Sequence, residues 1–112
     1  MKSSQTFCVF LCFAGGLLYA QEFRGTFSGT VKDRQGGAIP GAKVTATAVG
    51  TGVRTTTLTE TSGAYTIPFL QPGEYALRAE APAFKVAVRQ GLTLSTGEHP
   101  VIDFEVEVGD AS

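Results

Sequence analysis

GTVKDRQGGAIPGAKV, residues 29–44, decides the fold of this 112-residue chain. Residues that favour strands, Val and Thr above all, lie on both sides of a Gly-rich centre. The central glycines mark a turn because glycine adopts the positive φ angles that tight turns require, and Pro40 fixes φ ahead of the next run. The stretch therefore predicts a strand over 26–32, a turn at 33–37 in which Asp33 accepts hydrogen bonds from backbone N–H groups, and a second strand over 42–49.

The rest of the chain continues this pattern of short runs that Gly or Pro interrupts. Apolar residues do not recur at helical spacing over three turns; they alternate with polar residues, as in strands with one buried face. Further strands are predicted over 53–59, 64–69, 74–80, 84–88 together with 92–95, and 101–108. Short strands at this spacing indicate an all-β fold, a seven-stranded antiparallel sandwich.

The alternation also assigns side chains to the core and strands to the edges. In the fourth strand, Tyr65, Ile67 and Phe69 are predicted to share one face. Pro68 predicts that this strand is an edge or bulges there, because proline cannot donate to a strand ladder. The polar, Thr-rich third strand, 53–58, is a further candidate edge. Core positions are predicted for three aromatic residues: Tyr65, Tyr75 and Phe84.

The first 20 residues have the order of a secretory signal peptide. Lys2 gives a positive start, an uncharged apolar run follows over 7–18, and cleavage is predicted after Ala20. An uncleaved anchor is the alternative, although a membrane span needs about 20 apolar residues. Cys8 and Cys12 both lie in the apolar run, so the exported part is expected to contain no disulfide. The predicted parts are a signal peptide over 1–20, a short lead over 21–24, the domain over 25–108 and a tail over 109–112.

Charge is nearly balanced, with nine Lys and Arg, ten Asp and Glu, and a formal net charge of −1. The basic residues are scattered along the sequence, which argues against a nucleic-acid partner. Asp103, Glu105 and Glu107 fall on one face of the last predicted strand. We interpret this row as a solvated strand face rather than a calcium site, because no loop ligands accompany it.

The sequence offers no set of residues for catalysis. The single histidine, His99, lies in a predicted turn without a second metal ligand, whereas a hydrolytic metal site needs several that converge. GGAIPGAK, residues 36–43, nearly matches a phosphate loop, but its Lys is one place late and no helix is predicted to follow. We therefore predict no catalytic, cofactor-binding or metal-binding residue, no cofactor, and a protein that is not an enzyme.

The turn residues recur at a specific spacing. The pieces are GTVKD at 29–33, IPGA at 39–42, GAY at 63–65 and LQPGEY at 70–75. This string resembles the carboxypeptidase regulatory-like domain family, although the Gly that the family usually has before a later Phe is Ala83 here. The resemblance implies a prealbumin-like (transthyretin-like) Greek-key sandwich over nearly all of the exported part.

The resemblance also implies a cellular context. A signal peptide followed by one such domain resembles the start of a TonB-dependent outer-membrane receptor. The 112 residues include no plug or barrel, so transport activity is not carried over, and we expect a receptor's N-terminal domain or a truncated remnant. The exported part is expected in the periplasm, at the outer membrane or secreted, with no membrane span of its own.

Two functions are compatible with these observations. The first is structural or protein–protein contact at the cell envelope, with strand addition at the edge 53–58 as the contact mode and a protein, or the rest of a receptor, as the partner. The alternative is carbohydrate binding, because this fold is grouped with starch-binding-like sandwiches. It ranks second because the chain has no Trp and the expected burial of Tyr65 and Tyr75 leaves no aromatic platform for a sugar.

Overall fold

The computed structural model describes residues 23–109, and every regular element in this range is a β-strand. The strands are β1 (Gly25–Asp33), β2 (Lys43–Ala48), β3 (Arg54–Leu58), β4 (Ala64–Leu70), β5 (Gly73–Glu80), β6 (Ala87–Leu94) and β7 (Phe104–Val106). They form a three-stranded sheet in the order β4-β1-β7 and a four-stranded sheet in the order β3-β2-β5-β6. The predicted all-β, seven-stranded sandwich is confirmed. The predicted signal peptide, 1–20, lies outside the described residues.

The two sheets pack face to face through the apolar side of each strand. The ring of Phe27 on β1 meets the ring of Tyr75 on β5 edge to face, with centroids 5.5 Å apart. Tyr65 and Tyr75 are buried as predicted, and the half-buried Phe84 packs against the core. The buried apolar residues are Phe27, Val31, Ile39, Ala42, Val44, Ala46, Tyr65, Ile67, Leu70, Tyr75, Leu77, Ala79, Leu94, Phe104 and Val106. Residues 23–109 contain no helix with the length and apolarity needed to cross a membrane.

Strand β6, Ala87–Leu94, joins parts of the two segments predicted over 84–88 and 92–95. It continues through a bulge at which Gln90 and Gly91 stand opposite a single residue of β5, Ala76. Gly91 has a φ of 70°, which glycine adopts without steric penalty. The bulge breaks the two-residue period, so the sequence pattern shows two separate runs, compatible with one or two strands, where the structure has one.

Strand β7 is shorter than the predicted 101–108 and runs parallel to β1, whereas the other strand pairs are antiparallel. The prediction of purely antiparallel pairing is therefore corrected for this one pair. Alternation identifies a buried face but carries no information on strand direction. Of the apolar residues that alternate with the acidic row, Phe104 and Val106 are buried, whereas Val108 is 72% exposed.

Strand β4 is an edge strand and also bulges, as Pro68 predicted. Its register against β1 shifts between Ile67 and Leu70. The shift reverses the alternation, so the predicted inward position of Phe69 is wrong: Phe69 is 74% exposed and Leu70 is buried. Phe69 has a φ of 61°, a left-handed conformation that a bulky residue rarely adopts.

Two turns are closed by side chains that the sequence motif contains. The Asp33 carboxylate oxygen Oδ1 accepts hydrogen bonds from the N–H groups of Gln35 at 2.9 Å and Gly37 at 2.8 Å, as predicted. At the turn before β5, the Tyr75 hydroxyl donates to the Gln71 backbone oxygen at 2.6 Å. This contact is the tyrosine corner of Greek-key sandwiches.

Thr59 is a buried polar residue that joins the loop before β2 to the end of β3. Its hydroxyl donates to the Ile39 backbone oxygen at 2.6 Å and accepts from the Ala42 N–H at 2.8 Å. Both hydrogen-bonding functions of the hydroxyl are therefore satisfied, which buried polar groups require. The contact holds the end of the loop before β2 against the end of β3, next to the first β2–β3 pair, Lys43 and Leu58.

Candidate functional site

The outer side of β3 is an open sheet edge. β3 pairs with β2 on one side and, among residues 23–109, with no strand on the other. The Ala48 N–H donates to Val53 O and the Thr59 N–H donates to Ala42 O, each at 2.9 Å. In an antiparallel ladder the hydrogen-bonded positions alternate, so these two bonds fix which residues point toward β2. The backbone N–H and C=O groups that point away from β2 belong to Arg54, Thr56 and Leu58.

The other sheet edges in the described range are less open. β4 lacks the N–H of Pro68, and β7 has only three residues. β6 is bulged at Gly91, and the Nη2 of its Arg89 donates to the backbone oxygen of Asp103 at 3.2 Å. Prolines, bulges and short strands are the devices that keep a sheet edge from pairing. β3 has neither a proline nor a bulge, and its one charge is Arg54.

An apolar groove lies between the two edge strands β3 and β4, which face each other across the gap between the sheets. It has a volume of about 340 Å³, which is within the usual range for ligand-sized clefts. Phe69 and Val53 form exposed apolar walls, and the side of the groove next to β3 includes Thr55. Gln71 and Glu74 also line it and supply polar groups.

The outer face of the larger sheet is polar and basic beside the β3 edge. Three basic residues line one shallow depression there: Lys43, Arg54 and Arg78. The Thr45 and Thr56 hydroxyl oxygens lie 3.2 Å apart across β2 and β3. Arg78 is paired, because its Nε lies 3.5 Å from the Oε1 of Glu80. Such an exposed pair contributes little stability, and the depression keeps an excess of positive charge.

A second polar cluster joins β1, β4, β6 and the segment before β7. The Tyr65 hydroxyl donates to the Ile102 backbone oxygen, and Asp103 Oδ1 accepts from both the N–H and the hydroxyl of Thr30, at 2.9 and 3.1 Å. Burial raises the pKa of Tyr65 well above its ordinary value, the nearby negative charge of Asp103 raises it further, and Arg89 opposes the shift. Each group has a partner, so the cluster serves the fold.

The residues considered from sequence for metal binding are dispersed. Arg34 lies 4.0 Å from Glu105 and 3.5 Å from Glu107, and both carboxylates are largely exposed. Asp103 instead bonds to Thr30, and His99 is exposed. Within residues 23–109, no group of three or more His, Cys, Asp or Glu side chains converges on one point.

Sequence reasoning missed the exposure of Phe69 and the grouping of the three basic residues. Strict alternation places Phe69 in the core beside Ile67, although Pro68 signals the bulge that turns it outward. Lys43, Arg54 and Arg78 are scattered in sequence and come together only through the register of β3, β2 and β5.

The family model of the carboxypeptidase regulatory-like domain matches residues 26–107. The chain belongs to the carboxypeptidase regulatory-like domain family. The match confirms the resemblance drawn from the turn residues, and it spans all seven strands apart from the first residue of β1. No curated protein matches the sequence.

Solved structures share the sandwich at low sequence identity. The Bacillus anthracis TIE protein is 16% identical with a TM-score of 0.64, over 76% of this chain and 16% of that one. A Bacteroides uniformis protein named for carbohydrate binding is 20% identical with a TM-score of 0.57, over 73% of this chain and 40% of that one. A variant of catechol 1,2-dioxygenase from Acinetobacter radioresistens is 14% identical with a TM-score of 0.62, over 83% of this chain and 54% of that one. The chain thus spans less than two thirds of the length of each.

The likeness to dioxygenases corrects one prediction. The sequence predicts a protein that is not an enzyme, but several 1,2-dioxygenases of catechol and related compounds contain the same sandwich at 9–14% identity. The prediction that this protein is not an enzyme is therefore corrected, because its fold occurs in enzymes as well as in the Bacteroides uniformis protein named for carbohydrate binding. At this level of identity the likeness establishes the fold alone.

Proposed function

We propose that this carboxypeptidase regulatory-like domain is a contact module of the cell envelope that binds a protein partner by strand addition at β3. The observation that carries the proposal is the open β3 edge, with the backbone groups of Arg54, Thr56 and Leu58 directed away from β2. A partner in extended conformation gains main-chain hydrogen bonds at such an edge. The devices that close the other edges are absent here.

We further propose that the domain acts after export, at the periplasmic side of the outer membrane or beyond. The support is the signal-peptide pattern over 1–20, followed by a domain of a kind that resembles the start of TonB-dependent receptors. Expression of the full chain in a Gram-negative host should give a periplasmic product shortened at Ala20. A product that retains Met1 in the cytoplasm would contradict this part of the proposal.

A random-peptide display library tests the contact mode without a known partner. The full chain is the bait, and the variant Thr56→Pro is the matched control, because it removes an N–H that points away from β2 and leaves the β2–β3 ladder intact. We expect enrichment of extended, proline-poor peptides on the wild type and no enrichment on Thr56→Pro. Equal enrichment on both proteins would exclude the β3 edge as the contact surface.

Carbohydrate binding is the second candidate, and the specific observation in its favour is Phe69. Its exposed ring supplies an aromatic platform for a sugar, beside the polar groups of Gln71 and Glu74. The structural likeness to the Bacteroides uniformis protein adds support. A glycan array distinguishes the candidates: saturable binding that Phe69→Tyr keeps and Phe69→Gly loses would favour a sugar over a peptide.

A further inference from the structure

We infer that the β3 edge and the apolar groove lined by Val53, Thr55 and Phe69, called here the Phe69 groove, form one continuous site for an extended acidic peptide in which acidic and apolar residues alternate. This inference rests on the proposed strand addition at β3 and specifies the chemistry of the partner. It joins three observations that the fold alone does not require: an open edge, an exposed apolar groove beside it, and a basic outer face on its other side.

The direction of the partner's side chains follows from the alternation of β3. The side chains of Thr55 and Thr57 face the gap between the sheets, and those of Arg54, Thr56 and Leu58 face outward. A strand added to β3 has the same alternation, because side chains of neighbouring strands share faces. Every second side chain of the partner therefore points toward the gap between the sheets, and the others lie over the outer face.

The inward side chains of the partner meet the groove. Thr55 lines the groove together with Val53 and Phe69, so a partner residue that lies beside Thr55 projects between these apolar walls. Val53 is 61% exposed and Phe69 74% exposed, and an apolar partner residue removes part of both surfaces from water. The groove therefore selects an apolar or aromatic residue at the inward positions.

The outward side chains of the partner meet positive charge. Arg54 lies on β3 itself, and Lys43 and Arg78 border the same depression on β2 and β5. The carboxylate in this depression, Glu80, is already paired with Arg78. Opposite charges on adjacent strands attract, so Arg54 favours an acidic residue beside it. Lys43, one strand further across the sheet, adds positive charge that favours acidic residues at the outward positions.

The backbone of Phe69 supports a binding role for the groove. A left-handed conformation is unfavourable for a bulky residue, and the ring gains little burial in return. Unfavourable backbone geometry of this kind concentrates at ligand-binding positions. A sugar fits the groove less well than a peptide, because Val53 and Phe69 present apolar surface while the hydrogen-bonding groups of the β3 edge would stay unused.

The test uses the full chain and a labelled, end-capped peptide of seven residues. In this peptide glutamate alternates with valine, and phenylalanine occupies the central apolar position. One control peptide has the same composition with all glutamates in one block, and a second has lysine in place of glutamate. Fluorescence anisotropy gives the affinity of each. We expect the alternating acidic peptide to bind at least about tenfold more tightly than either control.

Four variants separate the parts of the site. Thr56→Pro should abolish binding, and Phe69→Gly should weaken it about tenfold or more, as expected for an aromatic anchor. Arg54→Glu should weaken binding of the acidic peptide and strengthen binding of the lysine peptide. Val88→Thr, an exposed change on β6, should have no effect. Urea unfolding of each variant shows that the sandwich is intact.

The outcomes separate this inference from the proposed function. Binding that requires the open edge but is unchanged by Phe69→Gly, or is equal for the block and alternating peptides, would overturn the inference and leave strand addition standing. Binding of none of the three peptides would overturn the inference alone, because the display library tests strand addition independently. Binding that Thr56→Pro leaves unchanged would overturn both. Binding of glycans in place of peptides, lost in Phe69→Gly, would assign the groove to a sugar and also overturn the inference.

Discussion

The hydroxyl group of Tyr65 on β4 donates a hydrogen bond to the backbone oxygen of Ile102, which lies on the far side of β1. The β1 residue paired with Tyr65 is Gly29, which has no side chain to obstruct this contact. The Ile102 oxygen thus accepts from the Tyr65 side chain. The nearby Thr30 N–H donates to Asp103 Oδ1 and not to the Ile102 oxygen. The segment before β7 is therefore attached to β1 by backbone hydrogen bonds up to that between the Ile102 N–H and the Ser28 oxygen, and by the Asp103 side chain beyond it.

Removal of the Tyr65 hydroxyl should weaken this attachment. Tyr65→Phe keeps the ring in the core but leaves the Ile102 oxygen without its donor. An unsatisfied buried acceptor costs about 1–3 kcal/mol, and we expect the free energy of unfolding to fall by about 1–2 kcal/mol. Urea titration measures this change. A loss below about 0.3 kcal/mol would show that solvent replaces the tyrosine hydroxyl.

The same hydroxyl should make stability sensitive to alkaline pH. Burial raises the pKa of Tyr65 above its ordinary value of 10.0, and the charge of Asp103 acts in the same direction. The folded chain therefore holds this proton more tightly than the unfolded chain does. The stability that the protonated Tyr65 hydroxyl contributes is complete below about pH 10 and is lost as the pH rises further. Urea titrations at about pH 9 and pH 11 should show a steeper loss for the wild type than for Tyr65→Phe; equal losses would contradict the raised pKa.

Gly29 should tolerate no side chain. A Cβ at this position would overlap the Ile102 backbone oxygen, and a backbone atom cannot rotate away as a side chain does. Gly29→Ala should therefore destabilise the fold by about 2–3 kcal/mol, the upper part of the range of about 1–3 kcal/mol for overpacked sites. Gly50→Ala is the matched control, because a Cβ added at Gly50 would have no neighbouring atom within 4 Å. Thermal unfolding of both should show a large decrease for the first and little change for the second.

The sequence predicted local features best. Asp33 binds N–H groups within its own turn, and Pro68 marks an edge strand with a bulge, because both effects depend on neighbouring residues. The direction of the Phe69 side chain depends on the number of extra residues in the bulge, and the pairing of β4 with β1 sets that number. The contact of Tyr65 with Ile102 joins residues 37 positions apart. Such contacts, and the groove between two edge strands, depend on topology that periodicity does not encode.

The strain at Phe69 can be separated from the loss of its ring. Phe69→Gly and Phe69→Ala both remove the exposed ring, but only glycine adopts a φ near 61° without steric penalty. We expect Phe69→Gly to be more stable than Phe69→Ala by about 1 kcal/mol, since a left-handed conformation costs an ordinary residue about 1–2 kcal/mol. Urea titrations of the pair measure the difference. Equal stability would indicate that the bulge relaxes to a negative φ.

Proline substitutions on β3 should reveal which backbone groups are open. The Thr56 N–H points away from β2, so Thr56→Pro removes a donor that the fold does not use, and proline is tolerated at such edge positions. Thr57→Pro removes a donor to the β2 ladder and should destabilise the fold by about 3 kcal/mol, the size of effect that an interior proline has in a helix. Thermal unfolding compares the two variants, which carry the same substitution one position apart. If Thr56→Pro were the more damaging change, the open backbone groups would be those of Thr55 and Thr57. A partner strand would then form its hydrogen bonds with those two residues.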